Sequence, residues 1–306
     1  MKVTVLGCGL IGASWAALFA AYGRQVLAWD PAADSRSSFL SRVNDATEQL
    51  RTLGAACTGT VTVCDTLEAS LNDTDWVQEN TPENVALKLE LYHRIEKEIT
   101  ADAIIATSTS SFTWSQLAKE LTHAKRFVVA HPFNPPHLIP LVELFCPDAE
   151  VLKQAVAFFQ AADRVPVCMK AEATGHIGNR LASALWREAV HIVAEGIAEV
   201  EDVDKVLIHG PGLRWSVLGT HMGYHLGGGT GGIEHYLQHL GPSQERRWAS
   251  LGSPALTPEV CERLIRGVHK EAAGRSITQL EQQRDEQLMQ IVKIRRAHPT
   301  IDNKPE

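Results

Sequence analysis

The chain has 306 residues, enough for two domains or one large one, and its hydrophobic content of 44% is ordinary for a globular protein. Its net charge of −7 gives no basic surface for nucleic acid or an anionic membrane, and no apolar run is long enough to span a bilayer. The six cysteines form no Cys-x-x-Cys pair, which argues against a zinc site and a disulfide framework. We therefore expect a cytoplasmic protein with no metal site and no nucleic-acid or membrane partner.

A glycine-rich turn follows the first predicted strand, 2–6, and a helix-forming run to Tyr22 follows the turn. A Gly-x-Gly-x-x-Gly turn between a strand and a helix, with an acid about twenty residues later, is typical of dinucleotide-binding folds. The acid here is Asp30, at the end of a second strand, 25–29. We expect the backbone amides at the helix N-terminus to bind the pyrophosphate. The residues predicted to bind the cofactor in this segment are Gly7, Gly9, Leu10, Ile11, Gly12 and Asp30.

The carboxylate of Asp30 favours NAD over NADP as the cofactor. It can accept hydrogen bonds from the ribose hydroxyls, whereas a 2′-phosphate at the same place would meet a like charge. Arg36 lies close enough in the sequence to keep NADP open. A glycine turn in an unrelated α/β fold is the structural alternative.

Strands and helices alternate through the remainder of the first half. The predicted strands are 59–64, 75–78, 103–106, 127–130 and 165–169, and the predicted helices are 35–55, 85–99, 114–121 and 151–161. This alternation is typical of an α/β fold with a Rossmann-type, doubly wound, mainly parallel sheet. The hydroxyl residues 107–111 either cap the next helix or place a hydroxyl group at the carboxyl edge of the sheet, where such folds bind ligands.

His131 stands at the end of the apolar strand 127–130 and is the candidate proton acceptor, since histidine titrates near neutral pH. A second apolar run, 138–142, ends at Glu143. If that run turns back beside the strand, the carboxylate can bind the far ring nitrogen of His131, fix its tautomer and make it a better base. A turn histidine before a proline and a surface acid are the alternative interpretation.

The pattern changes near residue 173. Helices are predicted beyond it at 181–197, 258–267 and 276–296, without a strong strand. We therefore predict an NAD-binding Rossmann domain at 1–173, an all-α domain at 174–297 that closes the substrate cleft, and a tail at 298–306.

Four motifs that agree in order and spacing resemble the 3-hydroxyacyl-CoA dehydrogenase superfamily, and the resemblance covers nearly the whole chain. The motifs are Thr109–Phe112, His131–Pro136, Glu143 and Gly175–Arg180. The resemblance implies NAD-dependent oxidation of an alcohol and a homodimer formed through the helical domain. It places Ser110, His131, Glu143 and Asn179 at the catalytic positions. By the same resemblance, His131 is the general base, Glu143 orients it, and the other two residues hold the substrate oxygen.

The resemblance also implies further contacts to the cofactor. Glu83 and Lys88 match positions that touch its ribose and nicotinamide end, and Asn134 matches a residue beside the nicotinamide amide. Four other histidines are predicted to be structural or to support the catalytic residues without reacting themselves. They are His137, His176, His221 and His225.

The second half of the chain resembles one branch of the superfamily more than another. The segments 185–189, 193–197, 210–215 and 225–235 resemble those of the branch that oxidises L-carnitine more than those of the branch that oxidises L-gulonate. Carnitine is a 3-hydroxy acid with a quaternary ammonium group, and such cations bind over aromatic faces. The candidate substrate residues are Trp186, Trp215, Tyr224 and Trp248 for the cation and Arg214 for the carboxylate. Core positions for the aromatic residues and a surface position for the arginine are the alternatives.

The implied reaction is the oxidation of the 3-hydroxyl of L-carnitine to 3-dehydrocarnitine with NAD. A dehydrogenase of L-gulonate or of a 3-hydroxyacyl-CoA is the enzymatic alternative, although the second half shows no clear basic cluster for the phosphates of CoA. An NAD-binding structural protein without activity is the other alternative. The intact set of residues at the catalytic positions argues against it.

Overall fold

The computed structural model describes residues 1–298, so the predicted tail lies outside the described residues apart from His298. The chain divides into two compact units, Met1–Arg180 and a second that begins at Leu181. The domain boundary predicted between residues 173 and 174 stays a prediction.

A single twisted layer of strands forms the centre of the first unit. Within residues 1–298 its strands are β1 Lys2–Leu6, β2 Gln25–Trp29, β3 Thr60–Val63, β4 Trp76–Glu79, β5 Ile104–Thr107, β6 Phe127–Pro132, β7 Leu141–Phe145 and β8 Val165–Cys168. Their order in the sheet is β3-β2-β1-β4-β5-β6-β7-β8. All neighbours are parallel except β6 and β7, which are antiparallel. The order reverses between β1 and β4, which is the switch point at which doubly wound sheets bind ligands. The predicted Rossmann-type α/β class is confirmed.

The helices of the first unit lie between these strands. They are α1 Leu10–Ala21, α2 Ala33–Thr52, α3 Leu67–Leu71, α4 Val85–Glu98, α5 Trp114–Ala118 and α6 Ala149–Gln160. The short helix α3 was not expected from the sequence; the Thr66 side chain caps it by accepting a hydrogen bond from the Ala69 backbone amide.

Helix α1 is apolar on almost every side, and such helices are buried in the interior of a fold. Trp15 stacks on Phe19 with ring centroids 5.2 Å apart. The helix can start close to β1 because position 12 is glycine: a Cβ at Gly12 would lie 1.9 Å from the carbonyl oxygen of Gly7. Gly7 itself has φ +91°, a conformation that L side chains rarely adopt.

The hairpin of β6 and β7 carries the predicted base and its partner. Every residue of β6 is buried, which explains its continuous apolar sequence. The apolar run before Glu143 does turn back, and the antiparallel register sets His131 opposite Glu143. Because side chains alternate between the two faces of a sheet, residues directly opposite each other point to the same face.

The second unit is built of helices in its described part. Beyond α7 Gly178–Ala194, which begins in the first unit, these are α8 Val200–His209, α9 Pro211–Trp215, α10 Thr220–Gly227, α11 Gly232–Ala249, α12 Pro258–Ala272 and α13 Ile277–Ala297. Val190, Val193 and Val200 are buried, but many large apolar side chains stay exposed, Ile197 and Leu213 among them. In residues 1–298 no helix combines the length and the apolar character needed to cross a membrane.

One helix of the second unit continues beyond its predicted end, and another continues through a proline. The predicted end of α12 at Gly267 was wrong. The helix continues to Ala272. Gly267 lies inside it and permits close packing, since a Cβ there would lie 2.4 Å from the side chain of Val200. Helix α11 continues through Pro242, a residue that in a sequence usually signals a break.

Candidate active site

The centre of the candidate site is the pair His131 and Glu143. Nδ1 of His131 lies 2.9 Å from Oε2 of Glu143, and both residues are buried. The other oxygen, Oε1, accepts the backbone N–H groups of Ile177 at 2.8 Å and Gly178 at 2.9 Å. Burial raises the pKa of Glu143, but the hydrogen bonds from His131, Gly178 and Ile177 outweigh it and lower the pKa overall. The carboxylate is therefore ionised at neutral pH and binds the Nδ1–H form of the ring, which leaves Nε2 as a free base.

The start of α7 approaches this pair because position 178 is glycine. A Cβ at Gly178 would lie 2.4 Å from the Phe133 ring and 3.3 Å from Oε2 of Glu143. The close approach brings Asn179 beside the base, with its Nδ2 3.5 Å from Nε2 of His131. The same Nδ2 donates to the carbonyl oxygen of Ser110 at 3.1 Å. Three of the four predicted catalytic side chains and the backbone of the fourth therefore meet at one edge of the sheet.

The loop that carries Ser110 is shaped by Glu83. Oε1 of Glu83 accepts the Thr109 hydroxyl at 2.6 Å and the backbone N–H groups of Ser110 and Ser111 at 2.8 and 2.9 Å. Burial raises the pKa of Glu83, and the Thr109 hydrogen bond and the Lys88 charge lower it by more. Ser110 is exposed at this edge of the sheet, and its hydroxyl donates to the same Oε1 at 3.3 Å.

A buried ion pair, which the sequence analysis missed, lies below Glu83. Nζ of Lys88 is 2.8 Å from Oε1 of Glu79 and 3.7 Å from Oε2 of Glu83, and the side chains of Lys88 and Glu79 are 1% and 0% exposed. Glu79 also accepts hydroxyl hydrogen bonds from Tyr92 at 2.5 Å and Thr107 at 2.7 Å. Burial raises its pKa, and the charge of Lys88 together with the hydrogen bonds from Lys88, Thr81 and Tyr92 lowers it overall. An acidic residue at the end of a predicted strand indicated the position of Asp30. Glu79, at the end of β4, shows the same pattern in the sequence.

The glycine turn is open where a dinucleotide would lie. A Cβ at Gly9 would meet no atom within 4 Å, and no side chain caps the N-terminus of α1. The first amides of a helix have no partner inside it, so Leu10, Ile11 and Gly12 can donate to a pyrophosphate. Leu10 is 61% exposed at this end. These residues fit an NAD molecule.

Asp30 is fixed at the carboxyl end of β2. Its Oδ2 accepts the backbone N–H of Cys8 at 2.9 Å, and its Oδ1 accepts that of Ala32 at 2.8 Å. Each carboxylate oxygen keeps a lone pair for a ribose hydroxyl. Arg36 donates to the backbone carbonyls of Asp30 and Pro31, at 2.6 and 3.2 Å.

Two further residues lie near the base. Asn134 is exposed on the loop after β6, at the same edge of the sheet. His176 is buried, with its ring centroid 4.9 Å from that of His131 and its Nε2 3.0 Å from the carbonyl oxygen of Thr109.

The candidate substrate residues all lie in the second unit, on exposed helical surface. The exposed aromatic residues are Trp186 on α7, Trp215 on α9, Tyr224 on α10 and Trp248 on α11. Tyr224 packs against Tyr236 at 4.9 Å. Arg214 precedes Trp215 on α9. None of the four aromatic side chains is therefore buried in the core of the second unit. No three His, Cys, Asp or Glu side chains among residues 1–298 are grouped so that they could hold a metal ion.

Comparison with known proteins covers both units. The model of the 3-hydroxyacyl-CoA dehydrogenase NAD-binding domain matches residues 2–172, and that of its C-terminal domain matches residues 175–257. The chain is 40% identical over 297 residues to a protein of Nocardiopsis dassonvillei named L-carnitine dehydrogenase, covering 95% of this chain and 90% of the relative. It is 40% identical over 298 residues to one of the same name from Streptomyces coelicolor, covering 95% and 94%.

Solved structures agree with the fold. The chain is similar to 5-formyl-3-hydroxy-2-methylpyridine 4-carboxylic acid 5-dehydrogenase, described as an NAD⁺-dependent dismutase, with a TM-score of 0.78, 26% identity and 97% coverage of both chains. It is also similar to a diketoreductase, with a TM-score of 0.64, 27% identity and coverage of 79% of this chain and 92% of the other.

Proposed function

The chain belongs to the 3-hydroxyacyl-CoA dehydrogenase family and is an NAD-dependent 3-hydroxy acid dehydrogenase, and on that basis we propose that it oxidises the 3-hydroxyl group of L-carnitine to 3-dehydrocarnitine. The observation that carries the proposal is the buried pair of His131 and Glu143. The Nε2 atom of His131, which carries no hydrogen in this pair, lies at the edge of the sheet beside Asn179. The choice of L-carnitine is supported by relatives of that name at 40% identity over nearly the whole chain.

His131 acts as the general base in this reaction. Its Nε2 accepts the proton of the 3-hydroxyl group as the C3–H bond breaks and C3 becomes a carbonyl carbon. Bound NAD supplies the acceptor for the hydrogen and electron pair that leave C3. The imidazolium that forms lies 2.9 Å from the ionised Glu143, which stabilises it.

Ser110 and Asn179 hold the substrate oxygen. The Ser110 hydroxyl donates to Oε1 of Glu83 at 3.3 Å, and Asn179 donates to the backbone carbonyl of Ser110, so Asn179 lies beside the loop that carries the hydroxyl. Such positioning supplies a large part of the rate in enzymes, because it replaces a bimolecular encounter by a held geometry.

The two ends of the substrate are assigned to the second unit. Its trimethylammonium group binds over the faces of Trp186, Trp215 or Tyr224, and its carboxylate pairs with Arg214. The exposure of all four side chains leaves them available to a ligand. The many large apolar side chains exposed on the same unit support a homodimer, because a partner subunit would remove them from water. The cytoplasmic location stays a prediction.

The substrate is tested by following absorbance at the NADH band with NAD and one candidate at a time: L-carnitine, D-carnitine, L-gulonate and 3-hydroxybutyryl-CoA. We expect NAD reduction with L-carnitine alone, and a much weaker signal when NADP replaces NAD, because Asp30 would face the 2′-phosphate. Reduction with L-gulonate or the CoA ester and none with L-carnitine would overturn the substrate assignment while leaving the role of His131 intact.

A further inference from the structure

His176 has a buried nitrogen that no described group satisfies. The side chain is 1% exposed, and its Nδ1 has no hydrogen-bond partner among the described residues. The other nitrogen, Nε2, lies 3.0 Å from the carbonyl oxygen of Thr109. A carbonyl oxygen only accepts, so Nε2 carries the hydrogen and donates it.

The surroundings of His176 favour its neutral form. Burial lowers its pKa; the hydrogen bond to Thr109 opposes this, and the charge that His131 can carry lowers the pKa further. The acids that face it, Glu143 and Glu83, raise the pKa by less than these groups lower it. In the neutral ring Nδ1 is a bare acceptor, whereas a proton there would be a buried donor without an acceptor.

The segment that contains His176 contacts both the His131–Glu143 pair and the loop that carries Ser110. Its backbone N–H groups at Ile177 and Gly178 hold Glu143, and through it the base. Its side chains His176 and Asn179 donate to two successive carbonyls of the loop after β5, those of Thr109 and Ser110. The loop is therefore fixed from one side by Glu83 and from the other by this segment.

We propose that His176 is a positioning residue, which holds the loop that carries Ser110 in place beside the His131–Glu143 pair by donating to the Thr109 carbonyl as a neutral imidazole. The inference rests on the proposed role of His131 and Ser110 in oxidising a 3-hydroxy acid. It does not depend on which 3-hydroxy acid is the substrate.

Two substitutions distinguish the effect of losing the N–H donor from the effect of losing the aromatic ring. His176→Gln keeps an N–H donor within reach of Thr109, whereas His176→Phe keeps an aromatic ring and removes the donor. Both face the same backbone requirement, since φ at this position is +51°. We expect His176→Phe to lower kcat by about 10- to 100-fold, because a misplacement of about 1 Å far from the chemistry has effects of this size. His176→Gln should recover most of that loss, and the KM for NAD should stay unchanged in both.

A double-mutant cycle with Ser110→Ala tests whether the effect acts through that hydroxyl. In the Ser110→Ala background, His176→Phe should cause little further loss, because residues that act as one unit are not additive. Equal losses in His176→Gln and His176→Phe, full kcat in His176→Phe, or additive losses in the cycle would each overturn the proposal. The assay uses whichever 3-hydroxy acid the wild-type enzyme oxidises, so a wrong assignment of L-carnitine changes the substrate and not these ratios.

The charge state of His176 is measured in the wild-type protein. NMR of the protein labelled with ¹⁵N at histidine should show one imidazole in the Nε2–H form that does not titrate between about pH 6 and 8, the range in which histidines ordinarily do. Assignment is made by the absence of that resonance in His176→Gln. A His176 that titrates in this range would overturn the neutral form.

Discussion

Replacement of His131 by asparagine lowers kcat by about 10²- to 10⁴-fold, the usual contribution of a general base. The asparagine amide can still donate to Oε2 of Glu143 from the place of Nδ1, so the carboxylate keeps a partner. No atom of asparagine reaches the place of Nε2, and the hydroxyl proton has no acceptor. The affinity for NAD should change little, because the glycine turn follows β1 and Asp30 follows β2, whereas His131 lies on β6. Steady-state kinetics and NAD titration measure the two effects.

His137 offers a matched control for this substitution. It is also a buried histidine, on the loop between β6 and β7, and it bonds Ser14 at 3.0 Å and Gln49 at 2.5 Å. His137→Asn should reduce thermal stability and leave kcat close to that of the wild type. Normal turnover in His131→Asn would rule out the general base, and a comparable loss in His137→Asn would show that packing in this hairpin, not proton transfer, was measured.

Replacement of Glu143 by glutamine should lower kcat by as much as about 10⁴-fold, because it reverses the tautomer of the base. The two backbone N–H groups at Ile177 and Gly178 need an acceptor, so the glutamine must turn its carbonyl oxygen toward them. Its NH₂ group then faces Nδ1 of His131, which can only accept from it. The ring must carry its hydrogen on Nε2, where the base is required.

The pH dependence of stability offers a second test of the same residue. The pKa of Glu143 is lowered from its ordinary value of 4.5, so the folded state is stabilised above that pH and loses this contribution as the pH falls through the lower, folded-state pKa. Acid unfolding of Glu143→Gln should lack this component. Glu150→Gln, at an exposed position in the first turn of α6, is the control and should retain both kcat and the acid transition. A Glu143→Gln enzyme with normal kcat would contradict the role of the carboxylate.

The parts of the site that follow local rules were predictable from the sequence. The glycine turn, Asp30 and the hairpin that pairs His131 with Glu143 all depend on residues near one another in the chain or on adjacent strands. The alternation of side chains along the strands and the residue types in the turns are therefore enough to predict these features. The segments that carry the base and its partner are only twelve residues apart.

The parts that depend on long-range contacts were missed. Glu79 looks like a surface acid in the sequence, because its burial depends on several partners at once, among them Thr107 on β5, which is 28 residues away. Gly178 is required because it leaves space for the ring of Phe133, which lies on the loop after β6. The link from His176 to Thr109 spans 67 residues and has no local signature.

The transfer of a labelled hydrogen from C3 of L-carnitine to the cofactor tests the proposed reaction most directly. L-Carnitine with deuterium at C3 is incubated with the enzyme and NAD, and the reduced cofactor and the product are analysed by mass spectrometry. We expect the deuterium in the reduced nicotinamide ring and an equal amount of 3-dehydrocarnitine. Reduced cofactor without deuterium, or no reduction by L-carnitine while another 3-hydroxy acid is oxidised, would contradict the proposed function.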